Sequence, residues 1–307
     1  DPLWSRGLGD VYKRQFFIRT ERHSAGCFVD LSEFVGFQNQ APRLLDAIRN
    51  PSIHYRFYYK TSDCDAIPGS PVAYQTSQSF RNSFSLEKSL GDLVDFTGSQ
   101  NVTGDNGRFV RFFWEPSGSS IGDDRRWIFY AKGGGQRKWY GLNQTIIDWG
   151  LAARHFYKNN KTSNLISEEY WFREGITYSE LTSSTNTFRL LPAHGVYDKK
   201  GPSFHSTEST HKLLLMLCNS IYASNVFAIL NPTMSLQVHD VKKLPIPPLD
   251  NEQRSSLESV YAELLGLART DWDNFEVSWD FRDQPLLRPD LRWTGFSGQV
   301  PSLAFEA

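Results

Sequence analysis

The fold of this 307-residue chain is constrained most by residues 98–149, where aromatic and charged residues alternate between two glycine-rich turns. The turns are residues 103–107 (TGDNG) and residues 132–135 (KGGG). Alternation of period two is typical of strands with one buried face, and glycine accepts the backbone conformations of tight turns. The stretch therefore predicts strands at 108–114 and 126–131 that form one hairpin-like unit framed by the two turns.

Positive charge is concentrated in the same region, although the whole chain has a formal net charge of -1. From residue 105 to residue 161 there are ten Lys and Arg residues against five acids, whereas residues 250–307 hold eleven acids and five arginines. This overall charge argues against a protein that holds DNA by net charge alone. A basic middle and an acidic end suit one anionic partner and one other interface.

The length, and an apolar content of 39%, allow one large or two modest domains. Strand patterns at 28–31, 53–59, 72–75, 170–179, 187–191 and 235–241 alternate with helical patterns at 41–49, 85–94, 145–159 and 207–230. A last helix begins after Asp250, with Gln253 completing a capping box. We therefore predict an α+β fold, with a mixed sheet and packed helices.

Cysteine and histidine usage gives no sign of a metal site. Cys27, Cys64 and Cys218 form no C-x-x-C pair, and we expect three reduced thiols in a cytoplasmic protein. His205 and His211 are expected to face solvent. No apolar run approaches the roughly 20 residues that a membrane helix needs, so a membrane is not an expected partner.

Motifs for methyl transfer to an amino group are absent from the sequence. Such chemistry needs a glycine-rich turn after a first strand for S-adenosylmethionine and an Asn/Asp-Pro-Pro-Tyr/Phe turn for the target amino group. The Asn-Pro pairs at 50–51 and 231–232 lack the second proline and the aromatic residue, and are interpreted as helix stops. There is also no P-loop or G-x-S-x-G motif. We expect no catalytic, cofactor-binding or metal-binding residue in this chain.

The two turns and their flanks instead supply candidate DNA-binding residues. Lysine and arginine contact phosphates, glycine permits close approach of the backbone, and aromatic rings stack on unpaired bases. Asn106 and Arg108 could read adenine and guanine edges, or the first turn could be an ordinary type I′ turn. The second could likewise be only a hairpin turn, and alternating aromatics more often form a sheet core. The candidates are Thr103, Asn106, Arg108, Arg111, Lys132, Gly133, Gly134, Arg137, Lys138, Trp139 and Tyr140.

This interpretation requires a continuous cationic face. Cations that lie on opposite sides, or that pair with neighbouring carboxylates, would count against it. Replacing Arg137 and Lys138 together by alanine is expected to reduce the salt dependence of duplex binding by roughly one to two counterions.

Six segments in order resemble one family. They are residues 67–74 (IPGSPVAY), 103–111 (TGDNGRFVR), 130–141 (YAKGGGQRKWYG), 172–179 (FREGITYS), 230–247 (LNPTMSLQVHDVKKLPIP) and 271–281 (DWDNFEVSWDF). Together they resemble the carboxy-terminal half of the PglX family, the adenine-specific DNA methyltransferases of BREX phage-defence systems, which have a TaqI-like specificity region. Gly135, Leu142 and the segment after Arg288 depart from that pattern.

The resemblance implies a division of labour. An upstream domain would bind S-adenosylmethionine and methylate the exocyclic amino group of adenine, while this chain would grip double-stranded DNA. Other BREX proteins are further expected partners. The alternatives are a stand-alone DNA-specificity subunit without catalysis, or a restriction endonuclease subunit of the same kinship.

The same resemblance suggests domain boundaries. We expect the end of a truncated methyltransferase domain at 16–95, a target-recognition domain at 96–249 and an acidic helical tail at 250–307. Residues 9–15 (GDVYKRQ) resemble the translation of a sequencing-library adapter, so residues 1–15 are interpreted as an artefact.

Overall fold

The computed structural model describes residues 26–60, 62, 65–69, 71, 73–74, 76–96, 100–181, 186–231 and 233–288. Residues 1–15, interpreted above as an artefact, lie outside this range, as do Val72 and Gln75 of the expected strand 72–75. The chain divides into two compact units between Arg81 and Asn82. Residues 82–95 therefore fall in the second unit, whereas the sequence places the domain boundary after residue 95.

The first unit is small, and its described part contains two paired strands and two helices. Its elements are β1 (Gly26–Val29), α1 (Phe37–Arg49), β2 (Arg56–Tyr59) and α2 (Gln78–Asn82), the last of which crosses the division. β1 and β2 are antiparallel, with Cys27 opposite Tyr58. The rings of Phe28 and Tyr74 stack with centroids 5.2 Å apart.

The second unit contains two four-stranded sheets. Its strands are β3 (Asp95–Phe96), β4 (Val110–Phe112), β5 (Trp127–Ala131), β6 (Thr145–Asp148), β7 (Gly175–Thr177), β8 (Arg189–Leu191), β9 (Gly195–Tyr197) and β10 (Ser203–His205). One sheet has the order β3-β10-β7-β8 and is antiparallel throughout. The other has the order β4-β6-β5-β9 and is mixed, because β5 and β9 are parallel.

Helices accompany these sheets. They are α3 (Asn106–Phe109), α4 (Leu151–Asn159), α5 (Glu208–Cys218), α6 (Ile221–Leu230), α7 (Val238–Lys242) and α8 (Asn251–Trp272). The predicted α+β class with a mixed sheet and packed helices is confirmed. Asp250 caps α8 by accepting a hydrogen bond from the Gln253 amide at 2.8 Å, and the predicted capping box is present.

The predicted hairpin of β4 and β5 is wrong. β6 lies between them, with Ile128 of β5 opposite Ile147 and Val110 of β4 opposite the same residue. Residues 145–148 are predicted as helix, but Ile146 and Ile147 are fully buried and pack into two different clusters, one on each face of the sheet. A strand buried on both faces lacks the alternation that would reveal it.

Further predicted elements differ from the structure. The helix expected at 207–230 is two helices, because Ser220 is extended and caps α6 by accepting a hydrogen bond from the Ala223 amide at 3.2 Å. The helix expected at 85–94 is two single 3₁₀ turns, Ser83–Ser85 and Leu90–Asp92. The strand expected at 235–241 is largely the short helix α7. Capping boxes at Ser89 and Gln237 and the Ser220 cap begin the second 3₁₀ turn, α7 and α6, so local side-chain hydrogen bonds override the apolar periodicity there.

None of the described helices has both the length and the apolar composition of a membrane span. Helices α5 and α6 reach that length and composition only as a pair, with a bend of 72° between them.

The expectation that His205 and His211 face solvent is wrong, since they are only 1% and 3% exposed. Nδ1 of His205 lies 2.9 Å from the carbonyl oxygen of Glu174. Burial lowers the pKa of His205, and it lowers that of His211 to about 4, with the nearby His205 adding to the effect on His211. Both rings are therefore neutral in the folded protein near neutral pH.

The buried His211 predicts that stability falls in mild acid. Its pKa is near 6.5 in the unfolded chain and lower in the fold, so the unfolded state binds the proton more tightly. Above pH 6.5 the ring is neutral in both states and the free energy of unfolding is unaffected. As the pH falls towards 4, the free energy of unfolding decreases by up to about 3 kcal/mol. Denaturant unfolding across this range should show a shallower pH dependence for His211→Gln. His155→Gln on the exposed face of α4 is the control, and identical pH profiles for all three proteins would contradict the prediction.

Candidate nucleic-acid interface

The two glycine-rich turns line one cleft of about 550 Å³ in the second unit. A third turn, residues 198–201, completes it. Five of the predicted DNA-binding residues lie in its lining: Thr103, Asn106, Lys132, Gly133 and Gly134. The others that line it are Val102, Gly104, Leu181, Asp198, Lys199 and Lys200.

The Asp198 carboxylate holds the three turns together. One of its oxygens accepts hydrogen bonds from the Tyr130 hydroxyl at 2.6 Å and from Lys132 Nζ at 2.8 Å. The other accepts from the Lys200 amide at 2.8 Å. Burial raises the pKa of Tyr130 well above its usual value, and Asp198 raises it further, so the hydroxyl stays protonated and donates.

Asn106 joins the first turn to this network. Its Oδ1 accepts hydrogen bonds from the Thr103 hydroxyl at 2.7 Å and from Lys132 Nζ at 2.9 Å. Asp105 caps the short helix α3 by accepting from the Arg108 amide at 3.0 Å. The bonds from Asn106 through Lys132 to Asp198 fix the spacing of the turns across the cleft.

Close contact explains the glycine at position 133. Its φ is +73°, and a Cβ there would overlap the carbonyl oxygen of Lys200. At Gly134 φ is +86°, but nothing lies within 4 Å of the position that a Cβ would take. Only glycine permits the 132–135 turn to approach the 198–201 turn in this way.

A buried arginine lies beneath the glycine turn. Arg189 is 1% exposed, and its Nη1 donates to the Ser179 hydroxyl at 3.3 Å. That hydroxyl donates in turn to the carbonyl oxygen of Gly134 at 2.9 Å. Burial lowers the pKa of Arg189 to about 10, so it remains charged near neutral pH. No carboxylate among the described residues forms an ion pair with it.

Lys200 is held at the rim by Glu180. Nζ of Lys200 lies 3.0 Å from a Glu180 oxygen. Burial raises the pKa of Glu180, but hydrogen bonds from Lys200, Gln237 and Ser235 lower it by more, so the net shift is downward and the carboxylate is ionised. Lys199, by contrast, is exposed and forms no ion pair with the described part of the chain.

Arg108 and Arg111 follow the first turn but do not line the cleft. The exposed Arg108 guanidinium lies over the rings of Phe109 and Phe156, at 4.7 and 5.2 Å from their centroids. Arg111 donates to the carbonyl oxygens of Gly107 and Val110, each at 2.7 Å. The Arg108 guanidinium, unlike that of Arg111, forms no hydrogen bond with a described residue.

The remaining predicted residues, 137–140, do not line the cleft, and each has contacts elsewhere in the fold. Arg137 pairs with Asp271 at 2.6 Å and lies over the Trp272 ring. Lys138 Nζ reaches the Asn219 carbonyl oxygen at 3.4 Å.

The two aromatic residues of this segment are also tied into the fold. The Trp139 amide donates to the Phe188 carbonyl oxygen at 2.9 Å. Tyr140 is buried against Leu190 and Trp272.

Ion pairs reduce the free positive charge of residues 105–161. Of the ten cations, Arg126, Lys132 and Arg137 pair with Asp148, Asp198 and Asp271. No other cation of this stretch has an ion pair with a described residue. These ion pairs count against a DNA interface that uses all ten cations. The candidate DNA-binding residues are therefore those that line the cleft or lie beside it.

Several functional candidates were missed by the sequence analysis. Asp198, Lys199, Lys200 and Gly201 form a basic turn that ends in glycine, the same signal used for the first two turns. No sequence pattern marks Arg189 or Ser179. An arginine that is buried in a short strand cannot be distinguished by sequence from one that is exposed.

The glycine turn after β5 lacks the helix that follows a nucleotide-binding glycine turn. The glycine turn after β5 leads into residues 136–144, which contain no helix, and then into β6. A nucleotide cofactor needs a strand, a glycine turn and a helix N-terminus in succession. Within the described residues no group of three or more His, Cys, Asp or Glu could hold a metal ion either.

Comparison with known proteins identifies what the chain is similar to. It is 29% identical, over 303 residues, to the adenine-specific methyltransferase PglX of Lacticaseibacillus casei (strain Zhang), covering 91% of this chain. It is 28% identical, over 237 residues, to the adenine-specific methyltransferase BrxX of Escherichia coli O9:H4 (strain HS), covering 74% of it. The resemblance to PglX-type methyltransferases is confirmed.

The chain spans 24% of the length of the PglX relative and 19% of the BrxX relative. No family model matches it. The similarity to the two methyltransferases thus concerns one part of proteins that are several times longer.

The glycine turn predicts a graded response to alanine. Gly134→Ala should cost about 1 kcal/mol, because only the positive φ is unfavourable there. Gly133→Ala should cost on the order of 3 kcal/mol or more, because the Lys200 carbonyl must also move. Denaturant unfolding measures both. Equal losses at the two positions would show that the 132–135 and 198–201 turns are not in close contact.

Proposed function

We propose that this chain is the DNA-recognition part of an adenine-specific DNA methyltransferase of BREX phage defence. The whole protein would transfer a methyl group from S-adenosylmethionine to the exocyclic amino group of adenine. Support comes from the similarity to PglX and BrxX, whose names specify adenine methylation. Because the match covers a quarter or less of each relative, the transfer reaction is proposed for the whole protein.

One observation carries the DNA-binding role. The sequence separately predicts that the two glycine-rich turns face DNA, and both turns line the same cleft, with Asn106 and Lys132, 26 residues apart, in contact. Including the 198–201 turn, the cleft contains three lysines and one aspartate. Convergent cations and exposed glycine backbone are the features that contact a sugar-phosphate strand. We assign the recognition role to the second unit, which contains the cleft.

Two unpaired cations at or beside the cleft define where the duplex would lie. Lys199 is exposed at the cleft, and Arg108 is exposed at the end of the first turn. Neither is neutralised by a carboxylate among the described residues, so both can release counterions when they meet phosphates. Arg137 contributes less, because Asp271 already neutralises it.

Enzymes that act on a base must take it out of the stack, at a cost of a few kcal/mol. A domain that grips the flanking duplex offsets this cost and sets the register. A chain with little net charge can do so, provided that its unpaired cations are on one face.

The double variant Arg108→Ala/Lys199→Ala tests the proposal. We expect weaker binding to a labelled duplex and a salt dependence reduced by roughly one to two counterions, measured by fluorescence anisotropy of the 307-residue chain over a range of salt concentrations. Arg137→Ala/Lys138→Ala should change the salt dependence by less, because Arg137 is already paired.

Arg282→Ala, in the acidic tail, is the matched control for loss of an exposed cation. Thermal melting verifies that each variant is folded. Failure of the unmodified chain to bind any duplex, or an unchanged salt dependence in Arg108→Ala/Lys199→Ala, would reject this assignment.

A further inference from the structure

The side chains of the cleft have donors to spare and no free carboxylate or amide oxygen. Asn106 Oδ1 already accepts two hydrogen bonds, from Thr103 and Lys132. A lysine ammonium can only donate, so the atom that faces it must be the amide oxygen. The Asn106 amide nitrogen donates to no described residue and is left as the available group.

The acid of the cleft is equally engaged. Both oxygens of Asp198 accept hydrogen bonds, from Tyr130 and Lys132 on one and from the Lys200 amide on the other. Its side chain is only 10% exposed. Asp198 therefore fixes the Lys132 ammonium in place, and both of its oxygens are occupied by donors of the protein.

The backbone of the glycine turn adds further donors. Gly133 and Gly134 line the cleft, and their amides donate to no described residue. The Ser179 hydroxyl fixes the turn through its hydrogen bonds to the carbonyl oxygens of Gly134 and Gly135. Successive backbone amides with positive φ are the usual components of an anion-binding concavity.

The buried side chain beneath the glycine turn is also positively charged. Arg189 is buried, is linked to Gly134 through Ser179, and has no carboxylate partner among the described residues. A buried charge without a counter-ion is costly, and an anion bound in the cleft would compensate it.

We infer that the cleft binds a phosphate group, namely one phosphodiester of a DNA strand, and that Asn106 donates to it. The inference rests on the proposed function, and makes it more specific. Adenine recognition by asparagine needs a free amide oxygen as well as the amide nitrogen, to accept from N6 while donating to N7. Asn106 has no oxygen free, so the cleft positions the DNA backbone and does not read a base.

Asn106→Asp is the decisive variant. The carboxylate keeps an oxygen for Thr103 and Lys132 and retains the size of the side chain, but it replaces the free donor with a negative charge. We expect affinity for duplex DNA to fall roughly tenfold or more, through repulsion of the phosphate. The loss should be the same on duplexes of unrelated sequence.

Asn251→Asp is the matched control. Asn251 is the first residue of α8 after the cap Asp250, just as Asn106 is the first residue of α3 after the cap Asp105. The two variants therefore place the same new charge at equivalent helix positions. Asn251→Asp should bind DNA as the unmodified chain does, and both should melt at the temperature of the unmodified chain.

Two further ligands separate the sources of the phosphate. On a duplex with one strand made of neutral methylphosphonate linkages, the difference between Asn106→Asp and the unmodified chain should shrink. Inorganic phosphate, titrated calorimetrically, tests the anion site without DNA. Binding of inorganic phosphate that Asn106→Asp abolishes, with no binding of any duplex, would support the anion site while rejecting the DNA-recognition function.

Other outcomes overturn the inference but leave the function in place. One is a loss in Asn106→Asp that appears only on duplexes with a particular base, since this would make Asn106 a base-reading residue. Another is duplex binding by Asn106→Asp equal to that of the unmodified chain.

Discussion

The cleft depends on one carboxylate. Asp198 accepts hydrogen bonds from a hydroxyl on the central strand β5, from the lysine that follows that strand, and from the backbone of its own turn. Lys132 extends the set to Asn106, and so to the first glycine-rich turn. Each bond is modest alone, but mutually polarised networks in a low-dielectric site specify one arrangement. Removing this carboxylate would leave Lys132 with Asn106, and Tyr130 with the Asn101 carbonyl oxygen, as their remaining hydrogen-bond acceptors, and would break the link to the 198–201 turn.

The near-neutral composition of the chain conceals a selective distribution of charge. Arg126, Lys132 and Arg137 form ion pairs with carboxylates of the fold. Arg108 and Lys199 have no such partner among the described residues, so they are the stronger candidates for an anionic ligand. A count of cations along a sequence cannot separate the two groups, because ion pairing depends on residues distant in the chain.

The sequence predicted what depends on local chemistry. The capping box at Asp250 and Gln253 and the two glycine-rich turns follow from neighbouring residues, and they are present as expected. The helix predicted over residues 145–159 is wrong for residues 145–148, which form β6, because the isoleucines of β6 are buried on both sides of a sheet. Similarly, β9 and β10 are each only three residues long, which is too short for an alternating pattern to be recognised. Recognition of Asp198, Ser179 and Arg189 required the tertiary contacts themselves, since no spacing rule connects them to residues 103–106 or 132–135.

The parallel pairing of β5 with β9 brings together parts of the chain that are synthesised far apart. Tyr130 and Asp198 are separated by 68 positions, and the bond between them is needed before the turns can face one another. Long loops of this kind close late, because their entropy must be overcome before the contact contributes. During translation, a nascent chain that has emerged only as far as β6 therefore has its glycine turns but no cleft. The proposed anion site is therefore assembled only after residues 198–201 have left the ribosome, and a shorter nascent chain lacks the lysines of that turn.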